Sequence, residues 1–547
     1  MKTKYILAAG ALLLSLPVCA QDIYKVESFS SEDLNGTARY VGMGGAMNAL
    51  GADLSTMGTN PAGIGMFRRS NASMTGSFLV DPNAEEMDDK KKTRASFDQI
   101  GFVFALPINS KNLKFMNVGF NYQKRKNLKN FIGIYGGSTG GASQAFSAAN
   151  LGNIYGDYSE TGADGSTSYS MPLTDAAYNS YMINPGSSSA TADSYDYRRV
   201  QSGGIQQYDF NLSMNFNDRI YAGLSFGIYN VDWNSLVEYT EYGVGGVTDD
   251  GNGNAVMTGA DNRYLMSNSE RVDGTGVDFK LGLIARPFED SPFRFGLAFS
   301  SPTWYTLTGN NVVWMSSPFY TSTSTADNTS AGYLTGDFDY RVRTPWKFNV
   351  SLATTVGNWL ALDAEYEYKH LPSAGLSWPD YDGGYYDGWG GYNTSSHSDK
   401  AVNNQIDKYL KGQSTFRIGA EARVSNNVSL RAGYNYVSAP IKDEAFLNLY
   451  PTHGTNYKDS ESLMNATGTD YVNLGATNRF TCGVGYHGKH FYADFAYQYQ
   501  HQKADVYPFH DTDVYTTDEA FLNDRGLAPQ SFDLNRSQVM LTLGWKF

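Results

Sequence analysis

The last eleven residues, Ser537 to Phe547, read SQVMLTLGWKF. Successive side chains of an extended chain point to opposite sides, so Val539, Leu541, Leu543, Trp545 and Phe547 share one face while Met540, Thr542, Gly544 and Lys546 share the other. The same alternation runs through FMNVGFNYQ (Phe115–Gln123) and YDFNLSMNF (Tyr208–Phe216). Alternation sustained over about ten residues has the length and period of a tilted strand that crosses a bilayer. Working outward, fourteen segments carry this pattern, the first near 73–80 and the last at 537–547. Short connections such as Asn217-Asp218, Val356-Gly357-Asn358, Ser425-Asn426-Asn427 and Gly488-Lys489 interleave with long ones at roughly 125–203, 231–274, 301–343, 370–413, 438–477 and 502–536. An even count, short turns on one side and long loops on the other predict an all-β, membrane-spanning antiparallel barrel of about fourteen strands, with both termini on the periplasmic side. The negative mean hydropathy of −0.41 is compatible with this, because lipid meets only every second side chain. A soluble sandwich would not sort its connections by length so regularly.

Residues 1–20 read as a cleaved signal peptide: Lys2 and Lys4 precede an apolar run from Ile6 to Leu16, followed by small residues near Cys19-Ala20. Its removal takes the formal charge from −13 to about −15 and leaves Cys482 as the lone cysteine, so no internal disulfide is expected. Such acidity argues against a nucleic-acid partner. Export and a barrel together place the chain in the outer membrane of a Gram-negative bacterium, with Phe547 as the assembly signal for the barrel-assembly machinery. The seven histidines show no metal-ligand spacing, and no nucleophile elbow or phosphate loop is present, so neither a cofactor nor an enzyme is expected.

Between the leader and the first strand lies GADLSTMGTNPAGIGMF (Gly51–Phe67), pliable and apolar at once. The segment 21–72 is too short for a domain with a good core of its own, and its glycines suit a backbone that bends to fit a lumen, so it is expected to form a small hatch or plug inside the barrel 73–547. The inward faces carry charges of both signs, including Asp278, Lys280, Asp363, Glu365, Glu367, Arg417, Glu421, Arg423, Arg431 and Asp494; these are expected to neutralise one another and grip the hatch. The run SPTWYTLTGNNVVWMSSPFY (Ser301–Tyr320) is rich in aromatic residues that are costly to expose on a cell surface.

The stretch TARYVGMGGAMNALGADLSTMGTNPAGIGMF (Thr37–Phe67) resembles the N-terminal hatch of FadL/TodX-type outer-membrane transporters of hydrophobic compounds, with an Asn-Pro-Ala element at Asn60, Pro61 and Ala62. The resemblance extends through Gly274–Tyr305, Arg343–Ala353 and Ser429–Ile441. It implies a fourteen-stranded barrel whose hatch bends at Gly58, Gly63 and Gly65. It also implies a surface groove formed by the loops after the fifth and seventh strands, here Leu265, Met266, Trp304, Tyr305, Trp314, Met315 and Phe319, and a lateral exit through the wall into outer-membrane lipid. The implied function is passive uptake of hydrophobic molecules, long-chain fatty acids first. A barrel subunit or interaction protein of a secretion system, or a receptor for haem-like aromatic ligands, is the alternative.

Overall fold

In the computed structural model the description covers residues 22–86, 92–108, 110–148, 191–249, 255–321, 324–380, 395–447, 466–510 and 527–547, with short pieces between 159 and 182, at 385–386 and 392–393, and at 462. The signal peptide expected over 1–20 lies outside the described residues. Fourteen strands form the wall. They are β1 (Asn71–Val80), β2 (Thr93–Pro107), β3 (Leu113–Asn127), β4 (Ser194–Phe216), β5 (Ile220–Asp249) and β6 (Ala255–Ala285). Strand β7 runs as Arg294–Ser300 and, after a break, Trp304–Thr321; β8 runs as Ser324–Arg343 and Lys347–Val356. The rest are β9 (Leu360–His370), β10 (Gly412–Arg423), β11 (Val428–Val437), β12 (Tyr471–His487), β13 (Phe491–Tyr507) and β14 (Gln530–Lys546). Each pairs antiparallel with the next, and β1 pairs with β14 from Asn71↔Lys546 to Val80↔Ser537, which closes the barrel. No helix among the described residues is long and apolar enough to cross a membrane.

The alternation read from sequence sorts as a membrane barrel requires. Phe102, Phe210, Leu224, Phe226, Leu281, Leu541 and Leu543 point outward and stay exposed, while Gln99, Asn121, Asp209, Asn211 and Thr542 point inward and are buried. The short connections are tight turns. Asn217 and Asp218 both take positive φ (54° and 58°), the backbone of a two-residue hairpin whose twist matches its strands. Phe547 closes the end of the barrel: its N–H donates to the Ser70 carbonyl at 3.1 Å, and its ring stands edge-on to Phe104. Deleting Phe547 is expected to lower the yield of heat-modifiable, folded barrel on gels; undiminished assembly would remove it from the insertion signal.

The structure departs from the reading of 231–274 and 301–343 as loops. Within the described residues both stretches are mostly strand, so that β5–β6 and β7–β8 run on well beyond the segments that carry an outward apolar face. The physical reason is an inversion of polarity within a single strand. Along β5 the outward residues change from Leu224, Phe226 and Ile228 to Asn230, Asp232 and Asn234. The inward ones change from Ser225 and Gly227 to Val231, Trp233, Val237 and Tyr239. Below Tyr229 the strand faces lipid; above it, the strand turns its apolar side inward, onto a core shared with Tyr305, Met315, Tyr340, Trp378 and Tyr471. Alternation continues through the crossing point, but its sense is reversed.

Candidate functional site

The N-terminal segment sits inside this wall. Its elements are α1 (Ile23–Ser30), α2 (Ala38–Gly42) and two 3-10 turns, Leu54–Gly58 and Pro61–Met66. Asp22 caps α1 and Thr37 caps α2, each accepting a backbone N–H three residues on. At the second 3-10 turn, Asn60 is the capping residue: its Oδ1 accepts the Ala62 N–H at 3.2 Å, and Pro61 takes the first turn position, where its missing N–H costs nothing. The Asn60 amide also donates to the Asn48 carbonyl at 2.9 Å.

Three wall glycines receive this turn. A Cβ on Gly282 of β6 would fall 2.1 Å from Asn60 Oδ1, and one on Gly223 of β5 would fall 2.4 Å from the Pro61 carbonyl carbon. One on Gly296 of β7 would lie 3.3 Å from the Asn60 amide nitrogen. Ser213 Oγ on β4 donates to the Pro61 carbonyl at 2.7 Å. A second pair, Gly419 on β10 and Gly433 on β11, admits Met43-Gly44: added Cβ atoms would come within 2.4 Å of the Met43 carbonyl oxygen and 2.2 Å of the Gly44 nitrogen.

Charges complete the grip. Arg39 of α2 forms a two-pronged pair with Glu421 (2.9 and 3.1 Å), which also binds Arg431, itself paired with Asp494 at 2.6 Å. Glu365 accepts the Asn48 N–H at 2.6 Å, and Asp363 accepts those of Ala49 and Leu50. Lys280 lies between Asp209 (3.1 Å) and Asp278 (2.7 Å), and Arg417 between Glu365 and Glu367. These lumen charges therefore pair with one another or with the segment, which offsets the cost of enclosing them, whereas Arg423, expected among them, is exposed at the end of β10.

Above the segment lies a cavity of about 260 Å³. Its lining is two-sided. Leu128, Ile132, Val472, Leu474 and Leu534 supply an apolar part, and Glu32, Asp33, Arg125, Lys126, Arg479 and Arg536 a charged part. The cavity also touches β3 at Gln123, Arg125, Lys126 and Asn127, next to the place where β2 and β3 part. Those strands pair only from Gln99↔Gln123 to Pro107↔Phe115, while Thr93–Val103 continues to pair with β1 and Lys124–Asn127 with β4. A bulge stands at the same level in each strand: Asp98 is the extra residue in β2 and Arg125 in β3, and both are buried. A bulge re-aims the inserted side chain, here into the lumen. The split is closed by the N-terminal segment, since Asn35 Nδ2 donates to both Asp98 Oδ1 (3.2 Å) and the Lys124 carbonyl (3.0 Å). Lys124 reaches Ser96 Oγ at 2.6 Å beside it.

The residues expected to form a surface groove occupy two faces. Met266, Tyr305 and Met315 point inward and are buried in the core above the membrane. Trp304 and Trp314 point outward at 43% and 53% exposure, ten residues apart on one strand and thus about 33 Å from each other at ~3.3 Å per residue. Leu265 is half-buried on the strand beside β7, and the side chain of Phe319 lies outside the described residues. Of the residues expected to bend a hatch, Gly58 abuts Gln207 and Asp209, Gly63 packs on Thr56, and Gly65 faces the Met214 carbonyl.

Sequence reading missed Glu32, Asp33 and Asn35, and the cations Arg125, Lys126, Lys347, Lys369, Arg479 and Arg536 around them. Burial alone would raise the carboxyl of Glu32, but Arg125, Lys347 and Lys369 outweigh it and hold it well below the usual range. Lys347, Lys369 and Arg479 share the inward parity of named neighbours such as Glu367 and Glu365, which was a usable signal. Arg125 sits on a bulge, where counting by two fails.

No family model matches the chain, and no curated protein does. Among solved structures it is similar to a FadL homologue of Pseudomonas aeruginosa (12% identity, TM-score 0.48, covering 94% of this chain and 99% of that one). It is also similar to the toluene transporter TbuX of Ralstonia pickettii (14% identity, TM-score 0.44, 94% and 99%). The toluene transporter TodX of Pseudomonas putida is a third (10% identity, TM-score 0.45, 94% and 99%).

Proposed function

We propose that this protein is an outer-membrane channel for the passive uptake of hydrophobic and amphipathic small molecules, long-chain fatty acids among them. The observation that carries the reading is the cavity that lies against the N-terminal segment and is lined by Asn35, Gln123 and Arg125, beside the place where β2 and β3 separate. A molecule with an apolar tail gains nothing from a water-filled pore. A path that leads sideways into the bilayer suits it, since burial of each methylene contributes about 0.8 kcal/mol. In this reading the segment closes the lumen to ions and water, the cavity holds the ligand, and the split between β2 and β3 is the exit. The segment is held by many modest contacts rather than one large apolar face, which suits an element that must yield and reseat.

The test is transfer of laurate and dodecanol across proteoliposomes containing the purified full-length barrel, against protein-free vesicles. A protein-dependent rise in the transfer rate for either compound is expected. Equal rates with and without the barrel for both would defeat the channel reading.

A further inference from the structure

Six wall cations, Arg125, Lys126, Lys347, Lys369, Arg479 and Arg536, converge on one short piece of the N-terminal segment. They come from β3, β8, β9, β12 and β14, so they surround it. Glu32 binds Arg125 at 2.6 Å and Lys347 at 2.5 Å. Asp33 lies 3.8 Å from Arg479 and 3.5 Å from Arg536. The two remaining lysines meet the end of α1: Lys126 donates to the Ser28 carbonyl at 2.7 Å and Lys369 to that of Ser30 at 2.9 Å. Carbonyls at a helix C-terminus carry partial negative charge, so these are the groups a cation seeks there. Within the described residues, the carboxylates that lie within 4 Å of the six cations are Glu32 and Asp33.

The wall thus presents a cationic ring whose anions are supplied by the piece that plugs it. If that piece withdrew, six cations would face the cavity, and enclosed charge without a partner is costly. Five of the six, together with Glu32 and Asp33, line the cavity, next to the apolar part formed by Leu128, Ile132 and Leu534. We propose that this ring is a binding site for the oxyanion head group of an amphiphile, and that Glu32-Asp33 occupies it as a built-in competitor. An arriving head group takes the arginines and lysines from Glu32 and Asp33 while its tail lies on the apolar lining. The same exchange loosens α1 and the turn that follows it. The site rests on the channel reading above, and deepens it by naming the chemistry of the ligand and the contact it breaks.

The experiment compares dodecyl phosphate, dodecanol and inorganic phosphate as ligands of the full-length barrel in a non-ionic detergent, by calorimetry and by hydrogen exchange over residues 22–36. Dodecyl phosphate should bind, and should raise amide exchange in that segment where dodecanol does not. Glu32→Gln with Asp33→Asn removes the competitor and should tighten dodecyl phosphate by on the order of tenfold, as expected when a competing state is abolished, with dodecanol unchanged. Arg479→Gln with Arg536→Gln should weaken it by a similar factor; heat-modifiability on gels shows that each variant is folded. Inorganic phosphate that binds as well as the dodecyl ester would assign the oxyanion site to a free ion, and failure to bind would assign it to a lipid head. Dodecyl phosphate that binds without raising exchange, or binds the acid-free variant no more tightly than the wild type, overturns the proposal. Binding and transfer of dodecanol alone would overturn this site and leave the channel reading standing, whereas absence of both would remove the channel.

Discussion

Replacing Gly223 and Gly282 together by valine is expected to leave a folded barrel that no longer closes. Both glycines lie inside strands, opposite each other across β5 and β6, where a β-branched residue favours the extended chain. The wall therefore loses nothing. The N-terminal segment loses its seat, because a Cβ at Gly282 would stand 2.1 Å from the Asn60 side-chain Oδ1 and 2.8 Å from the Ala62 backbone nitrogen, and one at Gly223 would stand 2.4 Å from the Pro61 carbonyl carbon. Overpacking a close contact costs roughly 1–3 kcal/mol at each site, so the closed arrangement should lose on the order of a hundredfold in population if the two add. Ion conductance in planar bilayers should rise accordingly while heat-modifiability is retained. A double variant that inserts normally and conducts no more than the wild type would show that the Asn60–Ala62 turn does not hold the segment in place.

These glycines also mark where sequence reading stops. The fourteen wall strands were legible, because the lipid face demands an apolar residue at every second position whatever lies inside, and Phe547, Trp545 and Leu543 follow that rule to the end of the chain. The inward face carries no such demand. Gly223 and Gly282 read there as neutral alternation, since nothing in a single strand reveals that a backbone from residue 61 presses against it. Asn60-Pro61 stood out in the sequence as part of an Asn-Pro-Ala element, a capping side chain before a residue with preset φ, but its partners Asn48 and Ser213 did not. The strands above the membrane were missed for a different reason. An alternation whose apolar face switches from out to in at Tyr229 looks, residue by residue, like the decay of a membrane strand into loop. The split between β2 and β3 left no trace either, because Asp98 and Arg125 each interrupt the period by one residue, and an interrupted period resembles the end of a strand.

That split is where the second large effect is expected. The Asn35 side chain bonds both separated strands, through Asp98 of β2 and the Lys124 carbonyl of β3. Asn35→Ala removes two donated hydrogen bonds, one of them to a carboxylate that is buried and whose second oxygen already has no partner. Asp98 Oδ1 keeps Ser96 Oγ at 2.8 Å, so what is lost is two hydrogen bonds, one of them to a charged group, together worth about 2–4 kcal/mol, and the closed seam should weaken by at least about tenfold. The barrel itself should not suffer, since the β1–β2 ladder and the β3–β4 ladder run on past the split without Asn35. The expected result is faster release of a bound fluorescent fatty acid into the surrounding bilayer; Asn35 is one residue of the cavity's lining, so capture from the extracellular side should change less than release. Asp98→Asn gives the matching control: it keeps an acceptor for Asn35 but removes the charge, and should shift release less. If Asn35→Ala released ligand at the wild-type rate while a variant closing the top of the cavity still blocked entry, the ligand would not leave between β2 and β3. The exit would then lie along the segment itself, toward the periplasmic mouth, and the split would be only the consequence of two bulges that aim Asp98 and Arg125 inward.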